Sequence, residues 1–173
     1  MSGGADGGGI VDGASVPGPQ HPPAPTLWTD ADATPGVVKE ILFRAARRTS
    51  TRLVLVANQP LHVPPSPHIR MVQVARGFDV ADHHILSVMQ AGDLVITADI
   101  PLAAEAVGRG GYALNPRGEF YTRHNVGELL DLRNFMETMR GMGMATGGPA
   151  PYGPREQQAF ANRLDRFLAG HRR

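Results

Sequence analysis

The chain has 173 residues, of which 42% are hydrophobic, a formal net charge of +1 and no cysteine. This length and apolar content suit one ordinary domain with a sizeable core, and they exclude a chain that is disordered throughout. The lack of cysteine excludes disulfides and thiolate zinc sites and is typical of a reducing compartment. No run of 18 apolar residues is present, so we expect a cytoplasmic protein with no membrane partner.

Composition divides the chain into three parts. Residues 1–26 are rich in glycine and proline and lack apolar periodicity, which predicts a disordered tail. Residues 27–145 alternate apolar runs with helical patterns, which predicts one α/β domain. Residues 146–173 read as a linker and a C-terminal helix that packs on this domain. The central part carries equal numbers of cations and acids, so any basic surface on it must be local.

Five short apolar runs predict the strands. They cover about residues 27–30, 53–57, 69–75, 93–99 and 112–114. Helical spacing predicts helices that begin at Pro35 and near Asp79, and others at about 101–107, 126–142 and 155–168. Thr34 is the expected N-cap of the first helix, with Pro35 at its first position.

The alternation of strands and helices predicts a three-layer sandwich around a mainly parallel, five-stranded sheet. We expect the strand order 3-2-1-4-5, which places the first and fourth strands side by side. Asp30 and Asp99, at the ends of these two strands, would then be neighbours at the carboxyl edge of the sheet. Ligands bind at this edge in open α/β sheets.

Acidic residues gather after three of the predicted strands. Carboxylates are hard oxygen ligands that suit Mg²⁺ or Mn²⁺. We therefore predict a metal site with Asp30 and Asp99 as catalytic residues; the full predicted ligand set is Asp30, Asp32, Asp79, Asp82 and Asp99. The alternative is that these acids are solvated loop residues or helix caps, and Asp79 with Asp82 would also suit a helix N-terminus.

Polar residues near the same edge are candidates for substrate binding. The candidates are Asn58, Asn115, Arg117 and Lys39, and a groove of Arg70, Arg76 and Arg117 is expected to hold a nucleic-acid backbone. The two asparagines are also ordinary turn residues, and Lys39 also suits a solvated helix face.

Two further features favour structural roles. Asp93, at the opposite end of its strand from Asp99, is expected to be a turn residue. The methionines between residues 136 and 144 are expected to fill the core.

Several segments in order resemble the YaiI/YqxD family of small bacterial proteins. They are 30–33, 56–59, 77–82, 92–104 and 114–118, and the resemblance runs through most of residues 27–165. That family is in turn distantly similar to PIN-like nuclease domains, which implies a PIN-like fold and hydrolysis of RNA or DNA with Mg²⁺ or Mn²⁺. The family usually has Cys-Pro after Asp-Ala-Asp-Ala, whereas this chain has Thr34-Pro35, so a cysteine is not expected to be essential.

Three functions remain open. The first is a metal-dependent phosphodiesterase that acts on RNA or single-stranded nucleic acid. The second is a non-catalytic module that binds a cation, a nucleotide or a protein. The third is an aspartyl-phosphate phosphatase, because Asp30-Ala31-Asp32-Ala33-Thr34 matches the DxDxT signature of haloacid-dehalogenase-like enzymes. The sequence leaves the oligomeric state open.

Overall fold

The computed structural model describes residues 23–148 and 150–171, which form six strands and five helices. Residues 1–22 of the predicted tail lie outside the described residues, as do 149, 172 and 173. The strands are β1 (Leu27–Asp30), β2 (Leu53–Ala57), β3 (Ile69–Gln73), β4 (Leu94–Ile96), β5 (Tyr112–Leu114) and β6 (Phe120–Tyr121). The helices are α1 (Gly36–Thr49), α2 (Val80–Val88), α3 (Ile100–Gly108), α4 (Val126–Gly141) and α5 (Pro154–Gly170).

The strands form one sheet in the order β3-β2-β1-β4-β5-β6. The first five strands are parallel and follow the predicted order, which is confirmed. A sixth strand, β6, was not predicted from the sequence and pairs antiparallel with β5. This strand has only two residues, too few to produce an alternating pattern, and it is defined by its hydrogen bonds to β5.

Helices cover both faces of the sheet, so the predicted three layers are present. Alternate residues of β2 face opposite sides, as the pleat requires. Leu53 and Leu55 lie in a core shared with α1 and α5. Val54 and Val56 lie in a second core with residues of α2 and α3. Every residue of β2 is buried, as expected for a central strand of a parallel sheet.

The start of α1 differs from the prediction. Pro35, not Thr34, is the N-cap residue, and no side chain caps this helix. The Thr34 hydroxyl instead donates to the Asp30 carbonyl oxygen at 2.6 Å and lies 2.7 Å from the Thr29 hydroxyl. Thr34 therefore ties the helix start back to the end of β1.

The expectation that the C-terminal methionines fill the core is wrong. α4 has no buried residue, and Met142 and Met144 are 73% and 53% exposed. Only Val126 and Leu129, partly buried, pack against the cluster formed by α3, β5 and β6. No helix among the described residues is long and apolar enough to cross a membrane.

The C-terminal helix α5 belongs to the same core as α1. Phe160 and Leu164 are fully buried, and α5 lies against the turn between β5 and β6. At that turn Gly118 has φ +87°, and a Cβ there would lie 2.5 Å from the Ala159 carbonyl carbon. A side chain at this position would therefore meet the backbone of α5.

We predict that Gly118→Ala lowers the free energy of unfolding by about 2 kcal/mol, because it combines a left-handed backbone with overpacking. Urea unfolding followed by the fluorescence of Trp28, the single tryptophan, measures the change. Gly127→Ala is the matched control, since Gly127 lies within α4 and nothing surrounds its Cβ position within 4 Å. We expect that control to be neutral or stabilising by up to about 1 kcal/mol. Equal stability of the two variants would contradict the packing of α5 on this turn.

Candidate metal centre

All five predicted metal-ligand residues line one cavity of about 220 Å³ at the carboxyl edge of the sheet. They are Asp30, Asp32, Asp79, Asp82 and Asp99. The ends of β1 and β4 meet there because these two strands pair in parallel. Asp79 and Asp82 reach the same place from the segment that follows β3 and begins α2.

Three of the acids form a compact group. Asp79, Asp82 and Asp99 each offer one carboxylate oxygen, and these oxygens lie within 4.8 Å of one another. Asp79 adopts a left-handed backbone (φ 59°) at the N-cap position of α2, and its side chain makes no capping hydrogen bond. The predicted cap role of Asp79 is thus absent, and its carboxylate belongs to the acidic group instead.

Asp99 has two roles. One carboxylate oxygen accepts a hydrogen bond from the Leu102 N–H at 2.8 Å, so Asp99 caps α3. Its own N–H donates to the buried Thr97 hydroxyl at 2.9 Å. The helix cap that was the structural alternative for Asp99 is therefore present, and it holds the carboxylate in a defined position beside Asp79 and Asp82.

Asp30 and Asp32 are held by their own loop. The Asp32 N–H donates to Asp30 Oδ1 at 3.1 Å. Asp32 Oδ2 accepts from the Asn58 N–H at 2.7 Å, which joins the ends of β1 and β2. The buried hydroxyls of Thr29 and Thr34 lie 2.7 Å apart and connect the two ends of this loop. No sequence pattern predicts this contact, because it forms between side chains.

The electrostatics of the cavity are those of an uncompensated acidic cluster. The pKa of Asp82 is raised to about 6, chiefly by burial and to a smaller extent by the charges of Asp99, Asp30 and Asp79. Burial also raises the pKa of Asp30, with smaller contributions from Asp32 and Asp99, while backbone N–H groups oppose the shift. Like charges gathered at partial burial are costly, and a cation relieves that cost.

The donor set fits a hard divalent cation. Every candidate ligand is a carboxylate oxygen, and no lysine or arginine is among the described residues that line the cavity. Mg²⁺ and Mn²⁺ prefer such ligands, and Mg²⁺ is commonly held by one or two carboxylates together with water and substrate oxygens. Asp79, Asp82 and Asp99 are the residues best placed to hold the cation.

The candidate substrate-binding residues are dispersed. Asn58 lines the cavity, whereas Asn115, Arg117 and Lys39 do not. Lys39 Nζ donates to the Ala31 carbonyl oxygen at 3.1 Å, and Asn115 Oδ1 accepts from the N–H groups of Arg117 and Glu119 in the β5–β6 turn. These contacts give Lys39 and Asn115 structural roles, and their roles in substrate binding stay predictions.

Arg117 contacts the segment before α5. Its guanidinium donates to the carbonyl oxygens of Ala150 and Pro151, lies 4.0 Å from Glu156 and stacks over Tyr152 at 5.7 Å. Arg70 and Arg76 are exposed and absent from the cavity lining. The structure therefore does not bring Arg70, Arg76 and Arg117 together along the metal centre.

Asp93, at the opposite edge of the sheet, is a buried structural residue. Its carboxylate accepts hydrogen bonds from the Thr26 N–H, the Trp28 Nε1–H and the Gln90 N–H, each at 2.9 Å. The expected turn role is present, and the bonds to Thr26 and Trp28 also join β4 to the start of β1.

A second cavity of about 500 Å³ adjoins the first and shares Asp79, Asp82 and Asp99 with it. Its other residues were not predicted as site residues from the sequence. They include Phe78, which is 92% exposed, and two arginines, Arg109 and Arg133. A strongly exposed aromatic residue beside acids has no distinctive sequence pattern, so only the fold reveals this arrangement.

The fold and the cavity define an α/β protein with an acidic cluster at the carboxyl edge of a parallel sheet. The chain belongs to the uncharacterised bacterial YaiI/YqxD family, whose model matches residues 28–170. The resemblance noted from the sequence is thereby confirmed.

Three relatives illustrate the similarity, and each is named only as a UPF0178 protein. The relative from Thioalkalivibrio sulfidiphilus is 61% identical over 143 residues, which cover 83% of this chain and 97% of the relative. That from Hahella chejuensis is 62% identical, with 83% and 95% covered. That from Alkalilimnicola ehrlichii is 59% identical, with 85% and 99% covered. No solved structure matches the chain.

The raised pKa of Asp82 predicts how stability depends on pH without metal. Between the ordinary value of 3.8 and about 6, the native state binds more protons than the unfolded state. The contribution of Asp82 to the free energy of unfolding is therefore fully present below about pH 4 and is lost as the pH rises through about 6. In chelator, we expect Asp82→Asn to lack this decline and to be more stable than the wild type at pH 8.

Urea unfolding from pH 4 to pH 8 measures this difference. Glu40→Gln, on an exposed position of α1, is the control and should keep the wild-type pH dependence. If the stability curves of Asp82→Asn and wild type run parallel across this range, the pH dependence does not come from the raised pKa of Asp82.

Divalent cations should stabilise the native protein. A ligand that binds only the native state at 100 times its Kd adds about 2.7 kcal/mol to the free energy of unfolding. We expect Mn²⁺ to raise the melting temperature of the wild type, and Asp79→Asn and Asp82→Asn each to weaken Mn²⁺ binding at least about 10-fold by calorimetry. Asp131→Asn, exposed on α4, should bind like the wild type. An undiminished response in Asp82→Asn would place the cation elsewhere.

Proposed function

We propose that the protein is a metal-dependent phosphodiesterase that acts on nucleic acid, the activity expected from the PIN-like resemblance proposed in the sequence analysis. One observation carries the proposal: five aspartates line one cavity at the carboxyl edge of the sheet, and three of them have oxygens within 4.8 Å of one another. This is the edge at which open α/β sheets bind ligands.

The acids divide into two groups with different roles. Asp79, Asp82 and Asp99 hold the cation through their converging oxygens. Asp30 lies outside that trio, but its charge contributes to the raised pKa of Asp82, so it faces the same space. Asp32 lines the same cavity and holds the loop after β2 through its bond to the Asn58 N–H.

A bound Mg²⁺ or Mn²⁺ lowers the pKa of water and neutralises charge on phosphate oxygens. The chain's own contribution is to orient the attacking water and to accept its proton. Asp30 is suited to this role because it ends the largely buried strand β1 and burial raises its pKa, which brings a carboxylate closer to the range of a useful general base. Water adds to phosphorus, one P–O ester bond breaks, and the leaving oxygen takes a proton from solvent.

Because the cavity is acidic, it can bind an anionic substrate only when a cation is also bound there. No cationic side chain is among the described residues that line it, so a phosphodiester would meet only carboxylates in the metal-free protein. We therefore infer that metal and substrate bind in order or together. This requirement also separates the proposal from simple basic-patch binding, which depends on arginine and lysine.

The phosphatase alternative has less support. Asp30 would be the nucleophile, yet one of its oxygens accepts the Asp32 N–H. α1 begins at Gly36, directly after the DxDxT segment, and leaves no flap of the kind that such enzymes place there. Asp93, in the nearest Gly-Asp pair, is committed to Trp28 at the opposite edge of the sheet. A non-catalytic cation-binding module uses the same geometry and is separated from the enzyme by the test below.

The purified protein should cleave RNA or single-stranded DNA with Mn²⁺ and stop when chelator is added. We expect Asp30→Asn and Asp99→Asn each to lower the rate by at least about 100-fold. The double variant should lose little more than either single variant, because residues that act as one unit are non-additive. Product formation on labelled oligonucleotides, resolved by gel electrophoresis, measures the rates.

Asp131→Asn is the matched control and should keep the wild-type rate; Asp93→Asn is unsuitable because it disturbs a buried network. Metal binding without cleavage of any strand would favour the non-catalytic module. An acid-labile phosphate trapped on Asp30 would favour the phosphatase. Cleavage that survives the double variant would identify a contaminating nuclease and remove the support for catalysis.

A further inference from the structure

The second cavity has the size and composition of a ligand site. Its volume of about 500 Å³ falls in the roughly 300–1,000 Å³ range of small-molecule pockets. Its lining combines acids, apolar side chains and two arginines: the shared acids with Glu105, the side chains of Phe78, Leu86 and Leu102, and Arg109 with Arg133. A ligand that fills it would therefore contact both the shared acids and the arginines.

Phe78 is the most exposed large hydrophobic residue among the described ones, at 92%. It directly precedes Asp79, a member of the acidic trio, and it lines the second cavity but not the first. Its ring contributes nothing to the core. An aromatic face left in solvent next to a phosphate-cleaving centre is suited to stack an unpaired base.

The two arginines are held in place by neighbouring groups. Arg109 donates to the Leu86 carbonyl oxygen at 3.0 Å and lies 3.7 Å from Glu105. Arg133, on α4, lies 3.1 Å from Glu137. Their side chains remain 52% and 33% exposed, so each keeps donors for a phosphate oxygen.

We propose that the second cavity binds the nucleotide next to the scissile phosphate, with its base against Phe78 and its further phosphate toward Arg109 and Arg133. This inference rests on the proposed function, and it names the substrate class as an unpaired strand of at least two nucleotides. A base held in the stack of a duplex cannot enter a cavity of this size without leaving its partner, which costs free energy. The structure thus favours single strands over duplexes.

Binding of labelled octamers, dT8 and rU8, tests the inference by fluorescence anisotropy with Mn²⁺. The Asp30→Asn protein is the background, so that strands stay intact; if the wild type cleaves nothing, it serves as the background itself. We expect Phe78→Ala to weaken strand binding about 10-fold or more, and Phe78→Trp to restore it, because stacking needs an aromatic face. A duplex of the same length should bind at least 10-fold more weakly than the single strand.

Arg133→Ala should also weaken binding and make the salt dependence shallower by the loss of about one phosphate contact. Arg140→Ala is its matched control, since Arg140 lies on the same helix but outside the cavity. Mn²⁺ affinity measured by calorimetry should be unchanged in the Phe78 and Arg133 variants. That readout separates loss of strand binding from damage to the metal centre.

The outcomes distinguish this inference from the proposed function. Strand binding that depends on Phe78, without any cleavage by the wild type, would overturn the phosphodiesterase and keep the subsite. Cleavage and binding that are equal in wild type and Phe78→Ala would overturn the subsite and keep the phosphodiesterase. Equal affinity for duplex and single strand, or no strand binding at all, would also overturn the subsite.

Discussion

The parallel pairing of β1 with β4 is the constraint on which the rest of the structure depends. Trp28 lies beside Val95 and Thr29 beside Ile96, so the two strands end at the same level. Asp30 is the last residue of β1, and Asp99 follows the end of β4 by three residues. Both carboxylates therefore lie at the same edge of the sheet. Asp93 supports the pairing from the opposite edge through its bonds to Thr26 and Trp28. A slip in this register would separate the two carboxylates, because each residue of slip moves a strand by about 3.3 Å.

The acidic cluster opposes folding when no cation neutralises it. Asp82 and Asp30 both have raised pKa values, primarily from burial and secondarily from neighbouring acids. The chain offsets this cost with backbone N–H groups that donate to the carboxylates, such as those of Leu102 to Asp99 and of Asn58 to Asp32. These bonds fix individual oxygens and leave the others to converge. Such preorganisation is what a metal site requires, since ligands that must rearrange bind more weakly.

The two cavities are adjacent because one short segment serves both. Between β3 and α2 the chain turns through Gly77 and Asp79, both with positive φ. This turn directs the Asp79 carboxylate into the acidic group while Phe78 remains in solvent. Left-handed backbone at a non-glycine residue is uncommon and is concentrated at sites where geometry is constrained by function. The segment therefore places Asp79 in the acidic group and Phe78 at the adjoining second cavity.

The sequence by itself determined the order of the five parallel strands and the edge at which the acids gather. It could do so because buried parallel strands are continuous apolar runs, such as 53–57, and because right-handed crossovers restrict the topology. Tertiary structure alone decided which acids converge, since Asp79 and Asp82 reach Asp99 through a turn whose backbone angles no residue pattern specifies. It also decided that Arg117 contacts the segment before α5, that β6 extends the sheet and that Phe78 stays exposed. The physical reason is that these outcomes depend on contacts between residues far apart in the chain, whereas periodicity reports only on the local environment of each element.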